Sequence, residues 1–252
     1  MAEVYSQYTE ELSEEYGYLA TWLPNVRLHL GDVGILRRDR FELITSLKNL
    51  AIPFEIRETG EAADYQYVSA DGANIAFGAN AAGLAGATLA ASSAKASVTF
   101  KRANAVVFVA KGCKSTFIDR QDVLGKEILA RDEAGSWPKN HVVITELVTA
   151  DSATVIISAT ADAKIEFSAE SKLAPSGVSL ADVAAGLQVA SSSGVAAQIV
   201  ASRQLTPLFR ASGVRRRLLG GANFQSRSAT RSDSVAKAET AAFVDLGYAD
   251  LE

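Results

Sequence analysis

Cysteine and histidine are nearly missing from this chain of 252 residues: Cys113 is the one thiol, and His29 and His141 are the two imidazoles. A single thiol excludes an internal disulfide framework. A chain of this length does not need one, because folding hides roughly 70–75% of its unfolded surface. Two separated histidines, without a second His or a Cys at ligand spacing, do not make a zinc site, which takes three or four converging nitrogen or sulfur ligands. Both lie in apolar, strand-like runs and read as packed or surface strand residues. Cys113 stands in Lys111-Gly112-Cys113-Lys114, where lysines lower a thiol pKa only if it is exposed, and no histidine is near it in sequence to serve as its base. Apolar runs of the roughly 18–20 residues that a spanning helix needs are also missing. So are the phosphate-cradling patterns G-x-x-x-x-G-K-[ST] and G-x-G-x-x-G, and the G-x-S-x-G elbow of acyl-transfer enzymes. Positive charge is not in excess: 25 Lys and Arg face 29 Asp and Glu, a net charge of −4, so nothing draws the chain generally to nucleic acid. The start, Met-Ala-Glu-Val-Tyr, is acidic and carries no signal-type apolar run. The expectation is a cytoplasmic protein without a catalytic centre, cofactor, metal site or nucleic-acid partner.

What is present is ordinary globular material, 48% apolar and 21% charged. Tyr5, Tyr8, Leu12, Tyr16 and Leu19 recur at helical steps and predict a helix over 3–22, with Glu3, Glu10, Glu11, Glu14 and Glu15 on its wet face and Pro24 as its stop. Gly31-Asp32-Val33-Gly34 predicts a turn between two short apolar pieces, and 47–56 a helix end passing into a strand at Pro53. Residues 57–64 read as a polar loop. A short helix is predicted over 119–131, with Val123, Leu124, Ile128 and Leu129 on one side and Asp119 as N-cap. His141–Val148 is a buried-type strand, Thr149–Ser152 a turn, and 235–252 a short terminal helix. The fold class is α+β: a twisted, mostly antiparallel sheet with long amphipathic hairpins and peripheral helices.

The strongest pattern is alternation of period two. Ala94, Ala96, Val98 and Phe100 alternate with Lys95, Ser97, Thr99 and Lys101, and the same holds from Ile157 through Glu170. A return partner for 157–170 begins near Leu187 and runs to Ala201. A half-buried antiparallel strand alternates in this way. So does a membrane-spanning strand of about 9–11 residues, with one face to lipid and the other to water. Two such pairs occur, joined by the small-residue stretches 83–93 and 170–186. Lipid forbids open edges, so inserted hairpins must close into an oligomeric barrel.

The order of elements, with His141-Val-Val-Ile-Thr-Glu-Leu-Val148 before the second long hairpin and Leu205-Thr-Pro-Leu-Phe-Arg210 after it, resembles the pore-forming domain of gasdermins, of the short bacterial or fungal type. The resemblance runs over about 3–219 in element order, and its residue matching is strongest in the 141–148 strand. It implies a latent protein that oligomerises and permeabilises membranes in cell death and antiviral defence, with membrane lipids, copies of itself and an activating protease as partners. Ile75, Phe77, Val98, Phe100, Ala159, Ala161, Ala163, Ile165, Phe167, Val195, Ala197 and Ile199 become the membrane-inserting residues. Arg210, Arg215, Arg216 and Arg217 become the lipid-headgroup contacts. The chain divides into a pore-forming-like domain, 1–225, and a linker with a short tail, 226–252. Phe243, Val244, Leu246 and Tyr248 become the docking residues of an autoinhibitory tail, and Arg227 and Arg231 mark the cleavage region in 226–234. The first helix is acidic where animal members are basic, and no cysteine stands near the N-terminus where bacterial members carry an acylated one. Charge for lipid then has to come from Arg210–Arg217, or from Lys95, Lys101 and Arg102. In this reading Ala161→Asp or Ile165→Asp abolishes leakage and leaves the soluble fold intact. Two other readings compete: a self-assembling β-rich scaffold, and a soluble enzyme or ligand-binding domain with a pocket near Cys113, His141 or Glu146.

Overall fold

The computed structural model describes residues 2–22, 26–37, 40–77, 81–83, 95–168, 188–218 and 239–247. The fold is α+β and strand-dominated. Helix α1 (Ala2–Tyr16) precedes β1 (Leu19–Ala20), β2 (Asp32–Leu36), β3 (Phe41–Ser46), β4 (Glu55–Glu58), β5 (Ala63–Val68), β6 (Ala73–Phe77), β7 (Ala81–Gly83), β8 (Lys95–Phe100) and β9 (Val106–Asp119). Helix α2 (Gln121–Glu133) leads to β10 (His141–Ser158), β11 (Lys164–Ser168), β12 (Gln188–Ser193), β13 (Val195–Leu218) and β14 (Glu239–Asp245). Every strand pairing among the described residues is antiparallel. The larger sheet is built on β10, which pairs with β13 along one edge and with β2 and β9 along the other. The smaller sheet has the order β12-β11-β8-β6-β7.

Side-chain alternation along β9 and β10 divides the core between the two faces of the larger sheet. Val107, Val109 and Ile156 point to one face and pack against Ile75, Val98, Phe100, Ile165 and Phe167 of the smaller sheet. Val106, Phe108, Ala110, Val155 and Ile157 point to the other, where Tyr8 and Leu12 of α1 cover them. This is why β9 and β10 read as near-continuous apolar runs: strands buried on both faces lose the alternation of half-buried ones. The far end is closed by Leu124 and Ile128 of α2 with Val33, Leu47, Ile118 and Trp137.

Several boundaries differ from the sequence expectation. The first helix ends at Tyr16 because Gly17 takes the left-handed conformation (φ 69°) that commonly closes helices, so Leu19 lies in a strand and Pro24 is not the stop. Thr149–Ser152 is not a turn but the middle of β10, where ladders to both β9 and β13 outweigh local turn preference. Residues 57–64 contribute to β4 and β5 rather than forming one loop. The N-cap of α2 is Arg120, in a left-handed conformation and without a side-chain cap bond, while the Asp119 carboxylate accepts from the Arg120 N–H. Val123 faces solvent, and Gly125 joins Leu124 and Ile128 on the buried side. The predicted C-terminal helix is strand β14, paired residue for residue with 212–218 of β13.

Candidate functional site: a sheet folded at four bends

Four strands of the larger sheet, in the spatial order β5-β9-β10-β13, continue through short bends into four strands of the smaller sheet, in the same order β6-β8-β11-β12. The bends are 69–72, 101–105, 159–163 and the single residue Gly194. Each contains one left-handed residue: Asp71 (φ 48°), Asn104 (φ 56°), Asp162 (φ 63°) and Gly194 (φ 63°). Glycine takes this conformation without penalty, and Asn and Asp tolerate it better than other residues. The bends are stitched to one another across the corner. Lys101 N–H donates to the Gly72 carbonyl, Asn104 N–H to Ser158, Asp162 N–H to Phe100, and Ala159 N–H to Gly194, all within 2.8–2.9 Å. The Ser158 hydroxyl accepts from Ala105 N–H at 2.9 Å and donates to the Arg102 carbonyl at 2.7 Å.

The smaller sheet is thus the folded-over continuation of the larger one. Its strands are joined into two hairpins, β6–β8 and β11–β12. Both connections leave from the same end of the sheet, where Phe77 pairs with Ala96, and Ser168 pairs with Lys95 and with Gln188. Opening the four bends would turn the two layers into one continuous antiparallel ribbon of four long strands.

The sequence-predicted residues fall on this architecture unevenly. Ile75, Val98, Phe100, Ala163, Ile165 and Phe167 gather as one cluster in the angle of the fold, each at most 4% exposed. Val195 packs at its margin, and Ala197 at the margin of the opposite cluster. Phe77 and Ile199 lie on β6 and β13, with side chains outside the described set. Ala159 and Ala161 need correction: they are exposed in the third bend, not on a strand face, because the chain turns there and the alternation of 157–170 is interrupted. On β8 and β11 the alternation holds. Lys164 and Glu166 face outward and pair at 2.7 Å, with Ser191 donating to Glu166.

Arg210 and the run Arg215–Arg217 lie in β13. The Arg210 guanidinium sits 4.5 Å over the Tyr18 ring, with its Nε 3.6 Å from Glu146, so an interior partner already engages its charge. Glu146 also accepts from the Tyr18 hydroxyl at 2.6 Å and from the Ser115 hydroxyl. Burial, and next the Glu146 bond, push the Tyr18 phenol up to about 12. Arg215 is exposed on β13, while the side chains of Arg216 and Arg217 lie outside the described set. Glu146→Ala is expected to lower stability by about 2 kcal/mol, because it leaves Arg210 half-buried without its carboxylate. Urea unfolding read by tryptophan fluorescence measures this, and an unchanged midpoint would remove Glu146 as the organiser of this cluster.

Tail residues Phe243 and Leu246 pack on the body, Phe243 against α2 and Leu246 beside β13. Val244 pairs with Gly213. Tyr248, Arg227 and Arg231 lie outside the described residues.

Sequence reasoning missed a clasp between α1 and two of the bends. Arg102 Nη2 is 3.0 Å from Glu11 Oε1, and the Ser69 hydroxyl donates to the same carboxylate. The local hint was the turn dipeptide Asp71-Gly72, but only the fold brings Ser69 and Arg102 to residue 11. Cys113 is buried, and desolvation raises its thiol to about 12, far from a reactive thiolate. Among the described residues no three His, Cys, Asp or Glu side chains converge as a metal site, and no helix is long and apolar enough to cross a membrane. No protein-family model matches the chain, and no curated protein matches it at a significant level.

Proposed function

We propose that this protein is a latent membrane-permeabilising protein, in which two hairpins held folded over the body swing out, insert, and close into an oligomeric barrel once the C-terminal segment is cut. The observation that carries this reading is the set of four aligned bends, with both hairpin connections leaving from one end. Such a sheet unfolds at its corners without losing strand order or register.

The energetics favour the folded form in water and the open one in lipid. Opening the corner exposes Ile75, Val98, Phe100, Val107, Val109, Ile156, Ile165 and Phe167. At about 1.5–3 kcal/mol for each buried side chain, water opposes this by roughly 10–25 kcal/mol. Acyl chains cover the same apolar face at no such cost, while the face bearing Lys164 and Glu166 turns to the aqueous lumen. The new strand edges require neighbouring copies, since lipid tolerates no unpaired edge. β14 belongs to the resting state in this scheme, because it occupies the edge of 212–218 on β13.

Dye release from anionic liposomes, comparing the intact protein with protein cut within 226–234, tests the reading. Release after cutting alone is expected. Release by both forms keeps permeabilisation and removes the tail as inhibitor. Silence in both, across lipid compositions and cut positions, leaves the corner as an ordinary two-layer packing and favours a self-assembling scaffold.

A further inference from the structure

Periodicity places Glu10, Glu11, Glu14 and Glu15 together on the wet face of α1. Glu10, Glu14 and Glu15 are exposed there, but the Glu11 side chain is only 13% exposed and turns toward the corner. A carboxylate so far out of water is costly unless donors surround it. Here Arg102 Nη2 and the Gln7 amide reach its Oε1 at 3.0 and 3.2 Å, and the Ser69 hydroxyl donates to its Oε2. Burial, and next the Glu11 charge, push the Tyr67 phenol up to about 12. Behind Glu11 the bonds run on into the corner. The Ser69 hydroxyl accepts from Val106 N–H at 2.7 Å, and Ser69 N–H donates to the Val106 carbonyl at 2.9 Å. Ser69 thereby ties the first bend to the strand that leaves the second. The Arg102 carbonyl accepts from the Ser158 hydroxyl, at the edge of the third bend. One carboxylate on α1 thus heads a chain of bonds that reaches three bends.

We propose that α1 is a second lock on the resting form: the Glu11 carboxylate holds the 69–72 and 101–105 bends shut, and the β6–β8 hairpin leaves the body only once this clasp is broken. Both tied bends belong to that hairpin, since 69–72 precedes β6 and 101–105 follows β8, so one side chain pins both of its legs. Tyr8 and Leu12, on the neighbouring turns of α1, are fully buried in the core, so the carboxylate is carried by an anchored helix and not by a loose one. β14 pairs with 212–218, at the opposite end of β13 from the Gly194 bend. The tail strand and α1 therefore hold the resting form at two different places, and cutting the tail does not of itself undo the clasp. The role in release rests on the opening motion proposed above; the hold on the corner does not, because tied bends resist local opening with or without a membrane.

Amide hydrogen exchange of the full-length protein, without lipid, tests the lock. Glu11→Gln keeps the side-chain shape and removes its charge. It is expected to speed exchange about tenfold at Ser69, Gly72, Lys101 and Val106, while the β2–β10 ladder and α2 keep their wild-type rates. Arg102→Gln, at a more exposed position, is expected to loosen the same amides. The double variant is expected to match Glu11→Gln, because both substitutions remove one ion pair. Unchanged corner rates, equal acceleration at every amide, or additive effects of the two substitutions overturn the proposal. Dye release by protein cut within 226–234 separates the lock from the permeabilising reading. Faster release by cut Glu11→Gln than by cut wild type is expected. Release at the wild-type rate from a corner that exchanges faster overturns α1 as a lock on the hairpin. Silence of every cut form removes the permeabilising reading and with it the role in release, while the exchange rates still decide whether Glu11 holds the corner.

Discussion

Protein carrying Gly125→Cys and Phe243→Cys, cut within 226–234, is expected to stay silent toward liposomes while oxidised and to release dye fully once reduced. A Cβ built at Gly125 would stand 3.3 Å from the Cβ of Phe243. Disulfide-linked Cβ atoms lie about 3.5–4.5 Å apart, so a shift of a few tenths of an ångström joins β14 to α2. Before the cut, the chain itself keeps the tail at high effective concentration. After it, non-covalent contacts hold the strand, among them the ladder to 212–218, the Leu246 N–H bond to the Ala211 carbonyl and the packing of Phe243 and Leu246, and dissociation becomes a true second-order equilibrium. The disulfide removes that escape. Cys113 does not compete for oxidation, since its buried thiol is raised to about 12. The uncut, reduced double variant controls for the lost Phe243 ring and has to be silent. Leakage by the oxidised cut protein would show that tail release is not the trigger. Silence of the reduced cut protein, with the wild type leaking, would mean that the substitutions damage the pore itself.

The second large effect separates two residues that share one sequence pattern. Ile165→Asp is expected to destabilise the soluble protein by about 4 kcal/mol or more, because Ile165 is fully buried in the fold angle and a carboxylate there has no partner. With stabilities of about 5–15 kcal/mol usual for domains, much of this variant would be unfolded or aggregated. Ala161→Asp is expected to change stability by less than about 0.5 kcal/mol, since Ala161 is exposed in the 159–163 bend. Denaturant midpoints of the two variants decide the matter. The expectation that both leave the soluble fold intact is therefore kept for position 161 alone, which makes Ala161→Asp the variant for leakage assays. If Ile165→Asp unfolds at the wild-type midpoint, the smaller sheet does not pack on the larger one as described. If Ala161→Asp leaks normally, residue 161 does not face lipid in the open state.

Local periodicity made much of the strand content readable. The alternation expected over 94–101 and 157–170, the two-sided apolar runs in β9 and β10, and the tyrosine–leucine stripe of α1 are each set by neighbours within a few residues; the structure keeps the first over 95–100 and 164–168, the second, and the stripe at Tyr8, Leu12 and Tyr16. The amphipathic face of β8 and β11 was legible for the same reason. What covers that face was not: periodicity marks a stripe as apolar but does not say whether protein or lipid lies against it. In the folded chain Val98, Phe100, Ile165 and Phe167 meet Val107, Val109 and Ile156 of the other layer.

The continuous strand 141–158 and the terminal strand 239–245 were likewise decided by partners far away in sequence, through ladders that outweigh turn or helix preference. Arg210 looked available from its basic neighbourhood, yet the fold brings Glu146 and Tyr18 to it. The four bends lie in unrelated stretches of sequence, each with a residue able to take positive φ. Only the tertiary structure lines them up as one corner, because the successive ladders β5–β9, β9–β10 and β10–β13 fix their common register.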